Sequence, residues 1–215
     1  MRGLIYKDFS IFYKCIDKKV IAIAVGFTAL LIFSAGNYGG LMASIMFAMT
    51  VGMQNIISLA GDERAGWKKY QRVLPMSGFS VVASKYISVL LTLGISLLGS
   101  IIFNLLSGVI SGSFDPAVWG LGMFGAVFLP LLWTGICLPL TYWFGVQSAQ
   151  AMGLVIVIPV FYMVKYFEDG AGFSVMADSL MSDSVMSYLL AAGIAVAVIF
   201  GLSVGVSVLG YERRR

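Results

Sequence analysis

The sequence predicts an all-α integral membrane protein with six transmembrane helices. Its residues are 60% hydrophobic and only 11% charged, with a mean hydropathy of +0.95. Soluble domains carry about 25% charged residues. The apolar residues gather into runs near the ~20 residues that a helix needs to cross roughly 30 Å of hydrocarbon. No polar stretch between them is long enough for a soluble domain. Residues 1–215 therefore read as a single transmembrane domain.

The first element precedes the first span. Ile5, Phe9, Phe12 and Ile16 recur at helical spacing, while Lys7, Lys14 and Lys18 gather on another face. A helix over 4–17 with this pattern lies in the membrane interface, its lysines among anionic headgroups. The alternative is a basic flank that only fixes topology. Spans follow over 20–36 and 41–60, joined by the uncharged Gly36-Asn37-Tyr38-Gly39-Gly40. Then comes a charged island, Gly61 to Ser77, with six of the chain's 24 charged residues.

Within the island Trp67, Tyr70 and Leu74 share one helical face, and Arg64, Lys68 and Arg72 share another. Asp62 and Glu63 come first, where carboxylates suit a helix amino terminus. Pro75 closes the segment, and Ser77 or Ser80 can cap the next helix. A short amphipathic helix over 61–75 is expected; a positive loop lying on the membrane is the alternative. Spans are then expected at 83–110, 117–143, 148–164 and 187–209. Pro130, Pro139 and Pro159 are kinks that neighbouring helices can satisfy. Segment 165–186 is too long for a simple turn. Phe173, Met176 and Leu180 repeat at helical spacing there, which suits a short re-entrant helix or a solvated loop equally. Small residues recur every fourth position at Ser44, Ala48 and Gly52 and at Gly193, Ala197, Gly201 and Gly205, marking close packing or a dimer seam.

Six spans place both termini and the 61–82 and 144–147 loops on one side. That side holds 13 of the 14 basic residues, leaving only Lys165 opposite. The basic side is expected to be cytoplasmic, so the charge reports topology rather than nucleic-acid binding. No cleavable signal peptide is evident. Cys15 and Cys137 lie at a membrane edge and inside a span, which argues against pairing or metal binding. Histidine is absent, and the expected spans hold no ionisable residue away from their ends, so proton pumps and ion-coupled carriers are disfavoured. No paired catalytic carboxylates or nucleophile elbow occur. Without a G-x-x-x-x-G-K-[ST] loop the chain is not expected to hydrolyse ATP or to bind a cofactor itself.

The run GDERAGWKKY (61–70), followed by LPMS (74–77) and SKY (84–86), is similar to one found in permease subunits of type-2 ABC exporters. It resembles their short bacterial branch, which includes exporters of amphipathic and antimicrobial peptides. The resemblance implies that 4–17 is an elbow helix and 61–75 a coupling helix resting in a separate ABC ATPase, present in two copies with ATP and Mg. Asp62, Glu63, Arg64, Trp67, Lys68 and Tyr70 would touch or brace that ATPase. Two permease subunits, identical or related, would face each other in the bacterial cell membrane with their termini in the cytoplasm. Spans two and five would line the path, with Met46, Met49, Met53, Asn55, Met152 and Ile156 on it. Two alternatives come from other classes: an ATP-independent channel or carrier, and a peptide-immunity or sensor subunit.

Overall fold

The computed structural model describes residues 2–15, 26, 29–33, 38–67, 77–112, 114–147 and 183–213. Its principal helices, in chain order, are α1 (Arg2–Cys15), α2 (Gly39–Arg64), α3 (Gly78–Ser111), α4 (Pro116–Phe144) and α5 (Asp183–Arg213). Among the described residues four helices are long and apolar enough to cross a membrane: Gly39–Arg64, Gly78–Ser111, Pro116–Phe144 and Leu190–Arg213. The chain is a multi-pass membrane protein.

This corrects the expected fold of six transmembrane helices. The two expected spans not among the four, 20–36 and 148–164, are the shortest, each about 17 residues and at the lower limit for crossing a bilayer. All of 148–164 and most of 20–36 lie outside the described residues. Within 20–36 the described residues are 26 and 29–33, all helical. The expected re-entrant segment before the last span also lies outside the described residues, apart from 183–186, which open α5.

Local chemistry sets the helix ends. Ser77 caps α3, its hydroxyl accepting from the Ser80 amide at 3.3 Å. Asp115 caps α4 by accepting from the Ala117 amide at 2.9 Å, with Pro116 in the first turn, where its missing N–H costs nothing. Inside α4, Pro130 cannot bond the Ala126 carbonyl. Ser96 of α3 donates to that carbonyl at 2.9 Å, so a neighbouring helix satisfies the freed acceptor, as membrane helices require.

α3 and α4 occupy the centre, with α2 packed against both and α5 against both on another side. The core joins Ile56 of α2, Val82, Tyr86 and Val89 of α3, Trp133, Cys137 and Leu138 of α4, and Phe200 of α5. Lipid is as apolar as leucine, so polar links and close approach supply the specificity. Asn104 of α3 donates to Ser44 Oγ of α2 at 3.1 Å and to the Ser100 carbonyl at 2.8 Å. Gly122 of α4 makes room for that amide: a Cβ there would lie 2.7 Å from Asn104 Nδ2. The Tyr86 hydroxyl meets those of Ser203 and Ser207 at 2.6 and 2.8 Å, tying α3 to α5.

These contacts also orient the helices. Asn104 near the end of α3 lies against the starts of α2 and α4. At the opposite end Tyr142 of α4 packs on Tyr211 of α5, and Trp143 donates to the Val206 carbonyl at 3.0 Å. That second end gathers α1, the close of α2, the start of α3 and the closes of α4 and α5.

Candidate functional site

Charge concentrates at this second end. α2 does not break at 61 but runs through Arg64, and the chain turns only at Ala65 and Gly66, where Gly66 has φ +68°. That left-handed conformation favours glycine. Asp62 and Glu63 therefore sit in the last turn of α2, where the helix dipole disfavours carboxylates. Partners from α1, α3 and the segment just after α4 compensate.

Lys7 of α1 donates to both carboxylate oxygens of Asp62, at 2.7 and 2.6 Å. Lys85, about two turns into α3, donates to Asp8 Oδ1 at 2.7 Å and lies 3.2 Å from Asp62 Oδ2. Lys7 lies 3.5 Å from Asp8 Oδ1, and Ser88 donates to Asp8 Oδ2 at 3.3 Å. Two lysines and two aspartates thus alternate in a ring that joins α1, α2 and α3. Asp8 and Lys85 are only 7% and 9% exposed. Burial at this level is expensive for any charge without a close partner.

The rest of the island extends the joint. The Lys7 ammonium lies 4.6 Å from the centre of the Trp67 ring, a cation–π contact. Glu63 Oε2 accepts from the Val146 amide at 3.1 Å, just beyond the close of α4 at Gly145. Asp62, Glu63 and Trp67 therefore face the bundle, and Arg64 is exposed. Lys68 and Tyr70 lie outside the described residues.

Among the expected path residues, Met46 and Met53 are 50% and 47% exposed, and with Met42 and Ile57 they mark one outward face of α2. Met49 is half-buried beside that face. Asn55 turns away from it and donates to Thr92 Oγ1 of α3 at 2.9 Å. Met152 and Ile156 lie outside the described residues. Lys7, Asp8, Lys85 and Ser88 were missed in reading the sequence for site residues. One signal was present: Lys85 lies inside an apolar helix and needs a counter-charge, and Asp8 is an acidic residue within a basic segment.

Among the described residues no group of His, Cys, Asp or Glu is arranged to hold a metal. The family model described as "ABC-2 family transporter protein" matches residues 3–212. No curated protein and no solved structure gives a match.

Proposed function

The chain belongs to the ABC-2 family of transporter proteins, and on that premise we propose that it is the exporter permease driven by a separate ATPase. The family places it as a membrane permease component of an ABC-type transporter and not as an enzyme. In our reading the end that gathers Lys7, Arg64, Lys85 and Arg213 faces the cytoplasm, following the positive-inside rule. Two copies of the permease, or two related chains, would bind two ATPase subunits there, with Arg64, Lys68 and Tyr70 toward the ATPase.

One observation carries this reading. The close of α2 is tied by ion pairs to α1 and α3 and by Glu63 to the close of α4. A push on the 62–67 segment is therefore passed to three other helices as a rigid-body displacement, which is how a soluble motor can change access in a membrane domain. Asp62, Glu63 and Trp67 brace this contact from inside.

The outward methionine face of α2 supports an amphipathic peptide or another hydrophobic cargo, because methionine adapts to varied apolar surfaces. Inside-out vesicles carrying the chain and its ATPase should take up a labelled cationic amphipathic peptide only with ATP. An ATPase subunit disabled in hydrolysis should abolish uptake. Met46→Lys combined with Met53→Lys should lower uptake at least about tenfold, since a charge at membrane depth opposes apolar cargo. ATPase binding should be unchanged. Uptake that continues without ATP would overturn the proposal.

A further inference from the structure

A cavity of about 20 Å³ lies beside the ion-pair ring, lined by Asp8, Asn55, Ser58, Lys85, Ser88 and Thr92, among others. Ser58 belongs to α2, one turn before Asp62. It is 8% exposed, and its Oγ is buried without a hydrogen-bond partner among the described residues. Lys85 lines the same cavity, and its ammonium carries three N–H donors. Asp8 Oδ1 takes one at 2.7 Å, and Asp62 Oδ2 lies at ion-pair distance, 3.2 Å. A buried hydroxyl-bearing residue and a buried lysine thus line the same small space.

We propose that this cavity is a binding site for one ordered water, held between Ser58 and Lys85. The volume selects the ligand first. A single water needs about 10–15 Å³ measured this way, so one fits and a larger molecule does not. Charge selects it second. Two lysines already balance the two aspartates of the ring. A cation would meet the Lys85 ammonium, and an anion would meet the Asp8 carboxylate. A neutral ligand that both accepts and donates suits a wall of ammonium, hydroxyl and amide groups, and each buried polar group needs such a partner. The water joins α2 to α3 beside the ring, so the ion pairs sit against a polar contact rather than a void.

The inference stands apart from the transport reading, and its test uses no transport assay. In the full chain in lipid nanodiscs, Ser58→Ala should lower the Tm by about 2–4 °C, because it removes a partner of the water. A dry cavity predicts the opposite sign, since deleting an unsatisfied buried hydroxyl is neutral or stabilising. A density map of the unsubstituted chain that shows ordered water should have a peak within hydrogen-bonding distance of both Ser58 Oγ and Lys85 Nζ. A Tm that stays or rises, or a map without that peak, overturns the proposal.

Discussion

Lys85→Met is expected to destabilise the folded chain by about 3–5 kcal/mol, the cost of leaving a buried charge without its counter-ion. Asp8 is the residue left exposed to that cost. It would lose the 2.7 Å contact with Lys85 and keep only Lys7 at 3.5 Å and the Ser88 hydroxyl at 3.3 Å. Asp62 would suffer less, because Lys7 still donates to both of its oxygens. Adding Asp8→Leu should recover most of the loss, since replacing a whole buried pair by apolar groups is often close to neutral. Thermal or denaturant unfolding of the full chain in nanodiscs measures both variants. A Lys85→Met cost below about 1 kcal/mol would mark an ordinary exposed pair and contradict the buried ring.

Asp62→Lys should be as severe. It removes the carboxylate shared by Lys7 and Lys85 and places a third ammonium between them, in a site where like charges cannot both be hydrated. We expect a loss of several kcal/mol and poor recovery of folded chain from membranes. Lys7→Asp added to Asp62→Lys reverses the 2.6 Å pair and keeps the ring neutral, but it sets the new ammonium beside Lys85 and the new carboxylate beside Asp8. The double variant should therefore regain only part of the stability, with the coupling energy given by the double-mutant cycle. If it is no better than Asp62→Lys alone, the Lys7–Asp62 contact is not the link between α1 and α2.

The legible parts of the fold are those that the membrane dictates locally. Lipid leaves the backbone no partner outside the helix, so long apolar runs become helices; 41–60, 83–110 and 117–143 lie within three of the four helices long and apolar enough to cross, and 187–209 overlaps the fourth, Leu190–Arg213. Runs of about 17 residues lie where length and hydropathy stop discriminating, and the expected six spans are corrected by the four such helices found among the described residues. Ser77 as a cap was readable because its partner is three residues away. The satisfaction of Pro130 by a neighbour was readable in kind, but its donor, Ser96, was not.

The island at 61–77 was legible as a site and not in its orientation. Its spacing suggested a separate helix over 61–75, with carboxylates at the positive end of the dipole. Instead the start of the island, through Arg64, extends α2; Asp62 turns inward to Lys7 and Lys85 and Glu63 to the Val146 amide, all distant in sequence. Periodicity within one segment cannot reveal a partner from another. The small-residue stripes make the same point. Ser44, Ala48 and Gly52 are all buried in the bundle, with Gly52 against Pro130. Gly201 and Gly205 of α5 have nothing among the described residues within 4 Å of where a Cβ would stand. The pattern is the same, and only the tertiary arrangement separates the two.

The central claim is that this chain is worked by a motor it does not contain. The direct measurement is to purify the tagged full chain from its native membranes in a mild detergent, identify what accompanies it and assay the complex for Mg-dependent ATP hydrolysis. The account predicts an ABC ATPase in equal amount to the permease, with hydrolysis that disappears when that subunit is removed. A stable, folded chain that comes away with no ATPase and no hydrolysis would contradict it.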